Sequence, residues 1–198
     1  MANIQAPFGF ASFGNGTAAT SNFTQARRKI DYNAAAIYFG DPVTSQADGT
    51  VARSAAGTTQ IAGIFVGCEY LSVSQGRQVW SRFWPGSDVA TGQFATAYII
   101  NDPTAQFLVQ AGGSATPIGL SNVQANINFG LGTPNTLSGQ SGAFADQTTI
   151  ATATTTLPFR IVDLIQDPPG SNGSDITTSF NYIVVTFNNV DARVLTGI

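Results

Sequence analysis

Glu69 is the only glutamate and Lys29 the only lysine in a chain of 198 residues. Solvated helix faces draw on these two residue types for solubility and for i,i+4 pairing, so a helical bundle with ordinary exposed faces is out of reach. What the chain has instead is short apolar, β-branched and aromatic runs, closed by Gly, Pro, Asn and Asp at roughly ten-residue intervals. Ala35 to Phe39 stops at Gly40-Asp41-Pro42, and Asp48-Gly49 marks a hairpin turn before Val51 to Arg53. Ile61 to Leu71 is the longest apolar stretch, with Gly63 and Gly67 marking a bulge or a close backbone approach. Arg77 to Trp84 alternates and ends at Pro85-Gly86. Ala97 to Ile100 and Gln106 to Gln110 flank Asn101-Asp102-Pro103 and read as a tight hairpin.

Val123, Ala125, Ile127 and Phe129 alternate with Gln124, Asn126 and Asn128, the pattern of a strand with one packed and one wet face. Phe159 to Ile165 and Tyr182 to Phe187 are strong strands expected to pair antiparallel in the core. The sole helical expectation is a short segment over Thr24 to Ala36, capped near Ser21 or Thr24. Together these predict an all-β fold, an antiparallel β-barrel or sandwich domain over residues 30–198 with an extended N-terminal arm over 1–29. A loop-rich excursion covers about 130–156, with one strand expected near Thr148 to Ala153.

The arm is the odd segment. Phe8, Phe10, Phe13 and Phe23 sit among turn-forming residues with no period of 2 or 3.6. Disordered tails are poor in aromatic rings, so the arm is expected to lie on another surface. Arg27, Arg28 and Lys29 at its end form the one run of charge, suited to docking on an acidic partner.

Several classes of function fall away. There is no histidine, which removes the commonest general base and metal ligand and every Ser-His-Asp arrangement. A net charge of -3 and a pI near 4.5 leave no broad basic surface for nucleic acid. No Cys-x-x-Cys and no Asp-x-Asp-x-Asp-Gly loop is present, so neither metal nor cofactor is expected. Cys68 lies inside an apolar run and reads as a buried small hydrophobe. Asp41, Asp48, Asp102, Asp167 and Asp175 sit beside Pro, Gly or Ser in turns, where Asp serves the local backbone rather than catalysis. No apolar run reaches the roughly 18 residues of a membrane helix, and the segment before Ala11 lacks the charged and apolar regions of a signal peptide. An enzyme is not expected, and the chain is expected to be soluble when made, in a reducing cytoplasm.

Trp80-Ser81-Arg82-Phe83-Trp84 is the densest chemical feature. On a strand, Trp80, Arg82 and Trp84 share one side and Phe83 joins Val79 on the other, so at least one ring set is ordinary core, and the alternative use of the stretch is a patch that binds a partner. Two exposed indoles here would also suit a carbohydrate-binding or host-attachment module, as in a fibre or spike.

The succession Gly40-Asp41-Pro42-Val43, then Gly63-Ile64-Phe65-Val66-Gly67-Cys68-Glu69-Tyr70, then Phe83-Trp84-Pro85-Gly86, then Ala97 to Pro103 with Phe107-Leu108-Val109-Gln110, resembles a family of tailed-bacteriophage virion structural proteins. Ser138-Gly139-Gln140-Ser141-Gly142 and Phe159 to Leu164 extend the similarity, which spans roughly residues 35 to 190. The resemblance implies a head decoration, or cement, protein of the virion; the outer surface of the head is the expected place, because no basic patch is present to face packaged DNA, and the bacterial host cytoplasm is where it is expected to be made. Its implied partners are the major capsid protein and its own copies as a dimer or trimer. It transfers no catalytic or ligand residue, and it leaves the N-terminal segment without a family motif.

Overall fold

The computed structural model describes residues 2–14, 25–153, 156–166 and 174–193. Among them the chain is built from β-strands, with two single-turn 3-10 helices. The strands form two six-stranded sheets, each with its own apolar core.

The middle of the chain makes one sheet: β2 (Gln25–Asp31), β3 (Pro42–Ser45), β4 (Val51–Arg53), β5 (Gly63–Ser72), β6 (Arg77–Ser81) and β7 (Phe94–Ile100). Their order is β2-β7-β5-β3-β4, with β6 beside β5, and a bridge from Lys29 to Thr50 brings the first strand back to the last. This barrel, called B, encloses Ile30, Ile37, Val43, Phe65, Cys68, Trp84 and Ile99. The β3–β4 hairpin turns at Asp48-Gly49 as expected, with Gly49 at φ 83°. The bulge in β5 falls between Phe65 and Gly67.

Both ends of the chain make the other sheet. It contains β1 (Ala11–Gly14), β8 (Gln106–Gly112), β9 (Asn126–Leu131), β10 (Ala143–Ala151), β11 (Phe159–Leu164) and β12 (Tyr182–Phe187). The order is β1-β8-β10-β9-β11-β12, and β12 pairs back onto β8, which closes barrel A. As expected, β11 and β12 pair antiparallel. Its core is a ring cluster: Phe159 stacks on Phe10 at 4.4 Å and on Phe187 at 5.9 Å, with Phe129 edge-on and Phe107 edge-on to Phe187. Each such ring contributes about 1.5–3 kcal/mol by leaving water.

Five expectations are corrected. The expected helix over Thr24 to Ala36 is absent from its described part, residues 25–36: β2 occupies Gln25–Asp31 of it, because Ile30 fills barrel B and the β2–β7 ladder satisfies the backbone. Ala97 to Gln110 is not a hairpin, since β7 belongs to barrel B and β8 to barrel A; the turn at Asn101-Asp102-Pro103 carries the chain between them. The polar face of β9 is not wet, because Asn126 and Asn128 are buried between neighbours. Asn126 accepts from Arg160 and Asn128 donates to the Gly57 carbonyl, so burial leaves these amides partnered. The excursion at 130–156 carries β10, which starts five residues before the expected strand and lies between β8 and β9. The boundary at 29/30 falls inside β2.

Residues 2–14 of the N-terminal arm lie on the molecule's own barrel A, not on another surface. Asn3 donates to the carbonyls of Asp175 and Ser179, β1 pairs with β8, and Phe10 is buried at 2% exposure. A ring that completes a close-packed core is held there by dispersion and hydrophobic gain.

The arm, barrel B and the β9–β10 loop cross at one seam. Phe10 N–H donates to the Gly40 carbonyl, Gly40 N–H to that of Phe65, and Ser141 N–H to that of Phe39. Gly40 sits at φ 86°, and a Cβ there would meet Phe10 N at 3.0 Å, so only glycine allows the crossing. Asp41, wholly buried, locks the seam. It accepts from Tyr38 N–H at 2.8 Å and Ser141 Oγ at 2.5 Å, and pairs with Arg53, whose Nε lies 2.7 Å from Oδ2. Burial pushes its carboxyl above the ordinary range, while Ser141, Tyr38 and Arg53 pull the other way.

Candidate functional site: the outer face of barrel B

The alternation of β2, β5, β6 and β7 that fills barrel B sends every second residue outward. The cross-strand registers place those residues side by side: Tyr98 opposite both Arg27 and Gly67, and Glu69 opposite both Thr96 and Trp80. Trp80, 67% exposed, lays its indole on the Tyr98 ring at 5.2 Å with the planes 18° apart. The Arg27 guanidinium sits 5.5 Å from the centre of the same ring. The strand between β6 and β7 has glycine at this level. Gly67, at φ 153°, leaves no side chain under the indole, and a Cβ there would meet the Ser81 carbonyl at 3.1 Å. The result is one stack, Trp80–Tyr98–Arg27, across the barrel, beside a shallow groove of about 260 Å³ lined also by Gln25, Ser81 and Arg82.

A second groove, of about 290 Å³, continues the face along Leu71, Val73, Val89, Ala90 and Phe94. Leu71, Val73 and Phe94 are exposed, an unusual use of large apolar side chains. Asp88 holds its rim: it accepts from Ser72 Oγ at 2.6 Å and Ser74 N–H at 2.8 Å, and these bonds lower its pKa. Lys29 Nζ stands 5.0 Å from the Phe94 ring centre, so the cationic end of β2 flanks the apolar strip.

The structure divides the candidate residues. Trp80, Arg27 and Lys29 come together on this face, and Arg28 is exposed on β2 beside them. Trp84 does not join them: it is fully buried, edge-on to Tyr70 at 5.2 Å, and its Nε1 donates to the Ala34 carbonyl. The strand ends at Ser81, whose hydroxyl donates to the Phe83 carbonyl, and the chain then turns inward to bridge Ile37. A platform of two exposed indoles therefore does not exist. Arg82 braces the seam, with Nη2 donating to Gln140 at 2.9 Å and its guanidinium 4.0 Å from the Phe39 ring centre. Phe10 is core, Phe8 is half-buried and edge-on to Tyr182, and Phe13 is 49% exposed at β1. Phe23 lies outside the described residues.

The acidic side chains serve structure. Asp48, Asp102, Asp146 and Asp175 each accept both the N–H and the hydroxyl of a threonine two residues on. The repeated Asp-x-Thr spelling of these turns is legible in the sequence, and it pulls the Asp48 and Asp175 carboxyls below their ordinary value. Asp167 lies outside the described residues. Asp41 is no turn carboxylate but the buried centre of the seam, a role no local pattern announced. Burial pushes the Cys68 thiol up to about 12, which makes it inert. Among the described residues, no group of three or more Cys, Asp or Glu could hold a metal ion, and no helix is long and apolar enough to cross a membrane. No family model, no curated protein and no solved structure matches the chain.

Proposed function

We propose that this chain is a structural protein of a tailed-bacteriophage virion, a head decoration protein that binds the major capsid protein shell from outside and stabilises the mature head. The observation that carries the reading is the outer face of barrel B, where Trp80, Leu71, Val73 and Phe94 stand exposed beside Arg27 and Lys29. Such a face suits a partner surface that is apolar at its centre and acidic at its rim. The rest of the chemistry is consistent with a binding role: the threonine-capped turn carboxylates, the buried Asp41 and the inert thiol are all used to hold the fold.

Low overall charge favours broad contact, because few ions must be stripped of water on docking. A protein that binds only the assembled, expanded shell shifts the shell's equilibrium by mass action, and many copies multiply modest single contacts. The test is co-sedimentation of the purified chain with phage heads that lack it, before and after expansion. Saturable binding to expanded heads at a fixed ratio to the major capsid protein is the expected result. Absence of binding to either form contradicts the proposal.

A further inference from the structure

We propose that the chain pairs with a second copy of itself through β6, edge to edge and antiparallel, about a two-fold axis at Val79. Among the described residues β6 has one strand partner, β5. An unpaired edge presents a row of N–H and C=O groups, which proteins blunt with charge, proline or a bulge. The other strand edges among the described residues are protected: β2 is bridged to Thr50 through Lys29 and carries Arg27, Arg28 and Lys29, and β1 is four residues long with an irregular register at Ser12/Gly14. By contrast, β6 has a regular register, no proline and no charge after Arg77. Arg77, Gln78 and Trp80 are exposed along it.

Self-complementarity picks out a second copy as the occupant. Antiparallel pairing about Val79 sets Val79 opposite itself, Gln78 opposite Trp80 and Arg77 opposite Ser81, so no like charges meet. The contact is isologous and closes after two subunits. Apolar surface continues from the edge onto Leu71 of the neighbouring strand, 66% exposed. Because the axis stands perpendicular to the sheet, the two outer faces look the same way. The pair would then meet a shell with two Trp80–Tyr98–Arg27 stacks, and the second contact becomes intramolecular. That last consequence rests on the decoration reading; the self-pairing does not, and it is measured with no shell present.

The experiment is sedimentation velocity of the full chain from about 1 to 100 µM, the range in which a contact of micromolar Kd is resolved. The expected result is a twofold rise in mass with concentration. Gln78→Lys combined with Trp80→Lys sets like charges across both ends of the pair and returns the monomer, with an unchanged far-ultraviolet dichroism spectrum. Gln78→Glu combined with Trp80→Lys sets opposite charges at the same two places and restores the dimer. A wild-type chain that stays monomeric overturns the proposal, as does a trimer. So does a double-lysine variant that remains dimeric, or a charge-paired variant that remains monomeric.

Discussion

The two barrels use their aromatic residues in opposite ways. Barrel A turns Phe10, Phe107, Phe129, Phe159 and Phe187 inward, into contacts that both chain ends help to complete. Barrel B, made from a continuous middle segment, buries one indole, Trp84, and sets the other, Trp80, outside with Tyr98, Arg27 and Phe94. On the proposed function, the difference separates stability from recognition. Changes inside barrel A should unfold the protein, whereas changes on the face of barrel B should leave the fold and remove the partner.

The largest effect should follow from deleting residues 1–14, which removes β1 and takes Phe10 out of the ring cluster. A loss of at least about 4 kcal/mol is expected, on the scale of a buried Phe removed from a core, with barrel A melting in a urea titration. A chain that keeps full stability after the deletion would restore the arm to a free, partner-seeking role. Next comes Phe159→Ala, at the centre of the same cluster, with an expected loss of about 3–4 kcal/mol by denaturant unfolding.

Asp41 joins the two barrels, and its replacement tests whether they are held as one. Asp41→Ala leaves Arg53 largely buried without its carboxylate and should cost about 3 kcal/mol. The carboxyl also sets a pH signature. Its folded pKa lies above the ordinary 3.8, so between those two values the native state holds more protons than the unfolded chain. The Asp41 contribution to stability therefore falls as pH rises through that window and is flat above it. Asp48, Asp88 and Asp175 act in the opposite sense, with stability present above their ordinary value and lost as pH falls through their lowered ones. The difference in urea midpoint between wild type and Asp41→Asn should shift toward the variant as pH rises through the window and be flat above it. A constant difference would show that Asp41 does not titrate as described.

The smallest stability effect belongs to the face itself. Trp80→Ala removes one stacked contact from a residue already 67% exposed and should change stability by about 1 kcal/mol or less.

These contrasts also explain what was legible in the sequence. Alternation and turn residues were enough for the all-β class, the β3–β4 hairpin, the bulge at Gly67 and the β11–β12 pair, because each rests on local chemistry. The division into two barrels was not legible, since nothing local distinguishes the Asn101-Asp102-Pro103 crossover from a hairpin turn. Nor was the fate of the arm: Phe10 reads as a free ring until the distant partners Phe159 and Phe129 are known. Of the candidate residues, Trp80, Arg27 and Lys29, chosen by residue type, share the outer face of barrel B. Trp84 misled because strand parity was carried past Ser81, where the chain leaves the strand and turns the indole inward. Tyr98, Leu71, Val73 and Phe94 were missed, as they gain meaning only from the register that sets four strands side by side.

The central claim is that barrel B's outer face, not barrel A or the arm, engages the shell. Its most direct test counts bound copies on expanded heads for wild type and for a variant combining Leu71→Ser, Trp80→Ser and Phe94→Ser, after dichroism has shown the variant folded. Saturable wild-type binding and a loss of at least about 100-fold in affinity for the variant, the scale of two or three removed hot-spot contacts, is the predicted result. Equal binding by the two chains would contradict the account.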